Sequence, residues 1–146
     1  LPAGAARNAL DCAIWDLKAK ETNRRVWQLA KLPKPQPVQT AFTLSLDTVE
    51  NMTRAAAQNA HRPILKLKVG TPNDLNRLVA VRNAAPNAKL VIDANEGWTI
   101  DDYHMLINHL MDLNIALIEQ PFPAGQDACL TDLDRPIPIC AMVYQP

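Results

Sequence analysis

Apolar residues recur with two different periods along this chain, and the change of period predicts its architecture. The segment 4–21 has the i, i+3, i+4, i+7 spacing of an amphipathic helix, carried by Leu10, Ala13, Ile14 and Leu17. A second, shorter helix is expected around residues 25–31. Three prolines within five residues then exclude helix and predict a rigid connector: Pro33, Pro35 and Pro37.

After the connector, short apolar runs alternate with helical segments. Strands are expected near 38–46, 64–69, 89–94, 115–119 and 137–140. Three segments between them carry helix-start signals: Asp47 with Glu50 as a capping pair, Thr71-Pro72, and Thr99. The segment between the last two strands has room for one or two turns of helix. Alternating strands and helices predict βαβ units and a parallel sheet with right-handed connections.

Two parallel architectures fit five strands. A Rossmann-type open sheet is the weaker choice, because no Gly-x-Gly-x-x-Gly follows the first strand and the chain has four glycines in all. A (β/α)8 barrel requires about 250 residues. We therefore expect an α/β fold with a helical segment at 1–35, at a capping-domain/barrel junction. Residues 36–146 would form the first half of a (β/α)8 TIM barrel, with its C-terminal half missing.

The composition limits which binding partners and which cellular location we expect for this protein. Fifteen basic and fifteen acidic residues balance, so nucleic acid and anionic membranes are not expected as partners. No apolar run is long enough for a transmembrane helix, and the N-terminus lacks the pattern of a signal peptide. Three cysteines without metal-binding spacing favour reduced thiols in a cytoplasmic protein. The chain starts on Leu1, so we expect it to begin inside a longer protein.

Polar residues follow four of the apolar runs at nearly constant intervals. Thr43, Lys68, Asp93 and Glu119 are separated by 25, 25 and 26 residues. Each interval fits one strand, one helix and two short loops. Because parallel strands bring their C-terminal ends to one rim, these side chains are expected to converge in a candidate active site.

Each of these residues also has a plainer interpretation. Lys66 and Lys68 share one strand face and could be exposed lysines of an edge strand, but Leu65, Leu67 and Val69 would then face the helices and direct the lysines into the barrel. Asp93 or Glu119 alone could be a solvated cap. Together with Asn95 they fit a hard cation such as Mg²⁺. Surface or packing positions are expected for His61, His104, His109, Trp15, Trp27 and Trp98, although Trp98 follows the Asp93 loop and could line the site's mouth.

Five segments in order carry a family resemblance: AARNALDCAIWDLKAKETNRRVWQLA, KLKVG, VIDANEGW, IEQPFP and PICA. In combination they resemble the muconate-cycloisomerase-like branch of the enolase superfamily, most of all its L-Ala-D/L-Glu (dipeptide) epimerases. The resemblance covers residues from about 4 to 141. It implies an isomerase that abstracts the proton α to a carboxylate with the help of Mg²⁺.

The resemblance also implies a role for each site residue. Lys68 is similar to the base on one face of the substrate α-carbon. Lys66 is similar to its neighbour, which assists the base and contacts the substrate carboxylate. Thr43 and Asn95 correspond to substrate-binding positions, and Asp93 and Glu119 to the first two Mg²⁺ ligands. In the family, a lysine on a later strand serves the opposite face of the substrate.

The sequence departs from the family pattern after PICA. Family members continue with Asp-Glu-Ser, whose Asp is the third metal ligand, whereas this chain has Met142. A thioether is a poor ligand for Mg²⁺. We therefore expect the 146-residue chain, as a truncated form, to be inactive and to bind Mg²⁺ weakly.

Two alternatives to a dipeptide epimerase remain at this point. One is another chemistry of the branch, such as a muconate cycloisomerase or an o-succinylbenzoate synthase. The other is a non-catalytic remnant that self-associates through the unpaired edge near Ile137–Cys140. The expected partner of the enzyme is a small dipeptide of the L-Ala-L-Glu type, and formation of a homo-oligomer by the parent protein is left open.

Overall fold

The computed structural model of the chain describes residues 2–70 and 74–141 and divides into two compact units, Leu1–Val38 and Gln39–Pro146. The first unit contains helix α1 (Ala5–Glu21) and the one-turn helix α2 (Val26–Leu29). Lys18 and Lys20 lie in the last turn of α1, where positive charge is favourable. Both predicted helices are present, and residues 33–41, which include the three prolines, form no helix or strand.

The second unit is built from alternating strands and helices. Its elements are β1 (Phe42–Leu44), α3 (Val49–Gln58), β2 (Ile64–Lys68), α4 (Asp74–Ala84), β3 (Lys89–Asp93), α5 (Ile100–Asp112), β4 (Ile115–Glu119), a short 3-10 helix (Asp127–Thr131) and β5 (Ile139–Cys140). All strand pairs are parallel, and the sheet order is β1-β2-β3-β4-β5. In the described part of the chain no helix has the length and apolar character needed to cross a bilayer.

The sequential strand order decides between the two parallel architectures. A doubly wound sheet reverses its order at a switch point, whereas each strand here is added next to the preceding one. Sequential addition is the arrangement of a (β/α)8 barrel. The barrel prediction is therefore confirmed for these five strands.

The two faces of the sheet differ in character. The outer face carries apolar side chains such as Leu65 and Leu67, both 0% exposed, which form a core with the helices. The inner face carries the side chains that alternate with these, among them Lys66 and Lys68, as the period of two predicts. The core comprises Leu44, Met52, Ala56, Leu65, Leu67, Val69, Leu78, Val81, Ala85, Ala88, Leu90, Ile92, Ala94, Trp98, Tyr103, Leu110, Ile115, Ile118, Phe122 and Ile137.

The predicted bounds of the outermost strands were too wide. β1 covers Phe42–Leu44 rather than 38–46, because Phe42–Leu44 is the segment that pairs with β2. β5 covers Ile139–Cys140 rather than 137–140. Here Pro138 accepts a hydrogen bond from the Ile118 N–H at 3.0 Å but cannot return one.

The helix caps correct one prediction and confirm another. The N-cap of α3 is Thr48, whose hydroxyl accepts from the Asn51 N–H at 3.2 Å, rather than the predicted Asp47–Glu50 pair. Asp47 instead accepts from the Thr48 N–H at 2.7 Å. Thr99 and Asp102 form the capping box that opens α5. The Thr71-Pro72 signal lies outside the described residues.

Arg82 connects the C-terminal ends of α4 and α5 through backbone carbonyls. Its guanidinium donates to five of them, at 2.7–3.4 Å: Ala85, Pro86, Ala88, Leu113 and Asn114. Burial lowers the pKa of Arg82 from its ordinary value. The loops that lead into β3 and β4 are thus held by one side chain.

Replacing Arg82 with Ala is expected to lower the free energy of unfolding by about 2–4 kcal/mol, because several partly buried carbonyls lose a charged donor. Urea unfolding followed by Trp fluorescence measures the change. Lys in place of Arg should recover less than half of the loss, since one ammonium cannot reach both helix ends. Asn83→Ala, at an exposed position of the same helix, is the control; an equal effect of both Ala variants would contradict this prediction.

Candidate active site at the C-terminal ends of the strands

Three of the predicted site residues lie at the C-terminal ends of three adjacent strands. Lys68 is paired with Asp93 across β2 and β3, and Asp93 with Glu119 across β3 and β4. Because partners in a parallel ladder point to the same face, all three side chains lie on the inner face. Lys66 lies on the same face, two residues before Lys68. The structure thus brings together these two lysines and two carboxylates.

Four side chains form a connected set of ion pairs, which we call the charge cluster: Lys66, Lys68, Asp93 and Glu119. Lys66 Nζ lies 3.0 Å from Asp93 Oδ2 and also contacts Glu119 Oε2. Lys68 Nζ lies 2.7 Å from the same Asp93 oxygen and donates to Asn95 Oδ1 at 2.7 Å. Two positive and two negative charges therefore balance within the cluster.

Asp93 is the most buried member of the charge cluster, with its side chain 2% exposed. Burial alone would raise the pKa of its carboxyl, but hydrogen bonds from Lys68, Lys66 and the Asn95 N–H outweigh burial and lower the pKa below the ordinary value. For Lys66, desolvation would lower the pKa of the ammonium, but its contacts with Glu119 and Asp93 raise it above the ordinary value. The structure therefore favours the charged forms of both residues.

The loop after β3 is shaped by backbone that few residues adopt. Asn95 and Glu96 have φ angles of 49° and 64°, in the left-handed region. At Gly97 an added Cβ would lie 2.9 Å from the Ala94 carbonyl oxygen, so a side chain there would force the loop to move. Asp93 Oδ1 accepts from the Asn95 N–H at 3.0 Å. This turn fixes Asn95 beside Lys68.

Glu96 is a site-adjacent residue that the sequence pattern did not indicate. Its carboxylate accepts from the Ala124 N–H at 3.1 Å, which joins the loop after β3 to the loop after β4. The neighbouring backbone is joined as well, since the Trp98 N–H donates to the Pro121 carbonyl at 2.9 Å. The position of Glu96 directly after Asn95 was the only feature of the sequence that could have indicated this role. Trp98 itself is 3% exposed and packs in the core.

The remaining predicted positions are less closely associated. Thr43 is the ladder partner of Lys66 and shares its face, but it is exposed on the edge strand β1. The three histidines are exposed, as expected. Met142 lies outside the described residues. Within residues 2–70 and 74–141, no group of three or more His, Cys, Asp or Glu side chains is arranged to hold a metal.

The charge cluster fits a hard cation on chemical grounds. Asp93 and Glu119 direct carboxylate oxygens toward one position, where the Lys66 ammonium contacts both. A positive group thus already lies between two oxygen donors of the type that Mg²⁺ prefers. Two protein carboxylates are few for a tight site, but Mg²⁺ commonly keeps several water ligands.

Family models match both parts of the chain. Residues 1–30 match the N-terminal domain of mandelate racemase / muconate lactonizing enzyme, and residues 47–143 match the enolase C-terminal domain-like family. The chain belongs to the enolase superfamily. The predicted resemblance is thereby confirmed.

Two curated relatives are similar to nearly the whole of this chain. An N-acetyl-D-glutamate racemase from a Pseudoalteromonas species is 43% identical over 141 residues, and the L-Ala-D/L-Glu epimerase of Escherichia coli is 42% identical over 143 residues. Each alignment covers 97% of this chain and 44% of the relative. The chain thus spans less than half the length of these curated relatives.

Solved structures of superfamily members agree with the fold. An enolase family member from Agrobacterium tumefaciens with homology to dipeptide epimerases, bound to sodium and L-Ala-L-Glu, is 49% identical with a TM-score of 0.89. That match covers 97% of this chain and 43% of the other. Other matching dipeptide epimerase structures, 27–29% identical, contain Mg.

Proposed function

We propose that this chain provides one side of the active site of an isomerase that inverts the carbon α to a carboxylate. The observation that carries this proposal is the register of Lys68, Asp93 and Glu119 across three adjacent strands. This register supports the proposal because it brings a lysine and two carboxylates into one hydrogen-bonded cluster. Side chains from several strand ends at one rim are the usual construction of barrel active sites.

The proposed substrate class is an amino acid whose α-nitrogen is acylated, with glutamate favoured. L-Ala-L-Glu and N-acetylglutamate differ in the acyl group but share this acylated glutamate, and the two curated relatives named above act on such compounds by name. A dipeptide of the L-Ala-L-Glu type is the first substrate to test. Epimerisation would then occur at the α-carbon of its second residue.

Lys68 is proposed as the base that takes the α-proton on one face of the substrate. A lysine serves as a base only in its neutral form, so the α-proton passes to the lone pair of an uncharged Nζ. Asn95 Oδ1 accepts from Nζ at 2.7 Å and holds it at a defined position. Lys66, with Thr43 opposite it on the same face, is proposed to assist Lys68 and to bind the substrate carboxylate.

Asp93 and Glu119 are proposed as the ligands of Mg²⁺. When bound, the ion would supply positive charge that stabilises the negative charge developing on the substrate carboxylate as the α-proton leaves. The protein's own contribution is to keep these two carboxylates on adjacent strands and on one face. A cytoplasmic location is also proposed, since three cysteines without metal-binding spacing suit reduced thiols.

The test replaces the matching segment of the Escherichia coli L-Ala-D/L-Glu epimerase with this chain. The Escherichia coli enzyme then supplies the rest of the chimera. With Mg²⁺ and L-Ala-L-Glu in deuterated water, this chimera is expected to exchange the α-hydrogen of the glutamate and to invert it. N-acetyl-L-glutamate should exchange as well if the acylated glutamate is what the site recognises. NMR measures the exchange.

The unfused 146-residue chain is the comparison and is expected to cause no inversion. A soluble, folded chimera that exchanges neither compound would contradict the proposed chemistry. Exchange of L-Ala-L-Glu alone would contradict only the wider substrate class. Measurable epimerisation by the unfused chain would contradict the expectation that it is inactive.

A further inference from the structure

The two lysines of the charge cluster have different positions relative to the carboxylates. Lys66 Nζ contacts both Asp93 Oδ2, at 3.0 Å, and Glu119 Oε2. Lys68 Nζ contacts Asp93 Oδ2 and Asn95 Oδ1, both at 2.7 Å. Among the described residues, the ion pairs show Lys66 as the cation shared by the two proposed metal ligands. Its ammonium therefore lies where a metal bound by both carboxylates would lie.

We infer that Lys66 is an internal counter-ion that occupies the cation position of the site and must be displaced when Mg²⁺ binds. The inference rests on the proposed function, because it takes Asp93 and Glu119 as the ligands. It assigns Lys66 a role in metal affinity that is separate from any contact with substrate. Lys66 then stabilises the metal-free protein and opposes metal binding.

The physical need for such a counter-ion follows from the sheet. Asp93 and Glu119 are ladder partners on adjacent parallel strands, which lie about 4.8 Å apart. Two carboxylates at that spacing repel each other, and the Asp93 side chain is 2% exposed. A shared ammonium removes most of this repulsion. Lys68 neutralises Asp93, and Lys66 is the lysine that also contacts Glu119.

The partners of each lysine indicate which one a bound metal would displace. The Lys66 side chain is 21% exposed and the Lys68 side chain is 34% exposed, so both ammonium groups can reach solvent. The neighbour of Lys66 on β1, Thr43, is exposed on the same face. Both partners of Lys66 are proposed metal ligands, whereas Lys68 has one such partner, Asp93, and also donates to Asn95. The displaced cation is therefore Lys66 rather than Lys68.

Lys66→Met tests the inference, because it keeps much of the side-chain length and removes the charge. Titration of the metal-free chain with MgCl₂ by isothermal calorimetry is expected to give a dissociation constant about tenfold lower than for the unaltered chain, from the Coulomb energy of one removed charge near the ion. Without metal, the melting temperature should fall by roughly 3–8 °C. Saturating Mg²⁺ should recover most of that loss.

Lys89→Met is the matched control. Lys89 lies on the inner face at the N-terminal end of β3, roughly 13 Å from Asp93 along the strand. The variant has the same net charge as Lys66→Met, and its Mg²⁺ affinity should stay within about twofold of the unaltered chain. Equal tightening in both variants would show a general charge effect and overturn the inference.

Lys66→Arg provides a second test that keeps the positive charge. A guanidinium can bind the two carboxylates through parallel hydrogen bonds, so Mg²⁺ binding should weaken by about threefold or more. Unchanged or tighter binding by this variant would overturn the inference, even if Lys66→Met does not fold. Weaker Mg²⁺ binding by a folded Lys66→Met would do the same, since it would show that Lys66 only supports the site.

The binding results distinguish a failure of the inference about Lys66 from a failure of the proposed function. If the unaltered chain binds Mg²⁺, Asp93→Asn abolishes binding and Lys66→Met leaves the affinity unchanged, the proposed metal ligands stand and the inference is overturned. If neither the unaltered chain nor Lys66→Met binds Mg²⁺ at any accessible concentration, the proposed metal site and the inference both fall.

Discussion

Replacing Lys68 with Met in the chimera is expected to lower α-hydrogen exchange from one epimer of the substrate by roughly 10²–10⁴-fold. The proposed base then has no nitrogen, and neither Asn95 nor Asp93 can replace it at the same position. The superfamily resemblance implies a second lysine on the opposite face of the substrate. Exchange from the other epimer should therefore survive, while inversion is lost in both directions. NMR in deuterated water, started separately from L-Ala-L-Glu and L-Ala-D-Glu, distinguishes the two faces.

Lys89→Met is again the control for the loss of a lysine from the inner face, and its exchange rates should equal those of the unaltered chimera. A uniform loss of exchange from both epimers would mean that Lys68→Met damages the site as a whole. Unchanged exchange from both epimers would remove Lys68 from the proposed mechanism. Circular dichroism of each variant shows whether the fold is retained.

Replacing Asp93 with Asn is expected to affect both stability and metal binding. The side chain is 2% exposed and faces two ammonium groups, so the neutral amide leaves Lys68 without its carboxylate and Lys66 with Glu119 alone. Because the lysines are partly exposed to solvent, we expect a loss of about 2 kcal/mol in the free energy of unfolding, below the range for fully buried pairs. Mg²⁺ affinity should fall by at least roughly tenfold, with one carboxylate left.

Urea unfolding and calorimetry measure these two effects of Asp93→Asn. Asp112→Asn, at an exposed position at the end of α5, should change stability by less than about 0.5 kcal/mol. Glu119→Gln should lose less stability than Asp93→Asn, because Glu119 contacts one lysine and is 30% exposed. A smaller effect at Asp93 than at Glu119 would contradict the central position assigned to Asp93.

Asp93 and Lys66, the two residues of the charge cluster with shifted pKa values, each make stability depend on pH. The pKa of Asp93 is lowered in the folded state, so its contribution is present above the unfolded pKa of about 3.9 and is lost as the pH falls through the folded pKa. The pKa of Lys66 is raised, so its contribution is present below about 10.4 and is lost as the pH rises through the folded pKa. Asp93→Asn should flatten the acid limb; an unchanged limb would contradict this assignment.

The lengths of the two outermost strands and the role of Arg82 depend on contacts between segments that are distant in the sequence. The apolar pattern predicted β4 at its observed bounds and β2 and β3 within one residue, since each is buried on the outer face by its own alternation. It overestimated β1 and β5 because strand length is set by the backbone pairing with the neighbouring strand. The role of Arg82 was not predictable, because its five acceptors are carbonyls of two separate loops.

The sequence by itself determined which residues share the inner face and the rim, because strand alternation fixes the face and the interval of about 25 residues fixes one strand per unit. The roles of these residues in catalysis stay predictions. The tertiary structure alone decided which ammonium lies between the carboxylates. Lys66 and Lys68 are equivalent in the pattern, but the Asn95 turn after β3 holds Lys68 aside and leaves the space between Asp93 and Glu119 to Lys66. That choice depends on the left-handed backbone of one loop and on the reach of a flexible side chain. Neither feature produces a periodic pattern in the sequence from which it could be predicted.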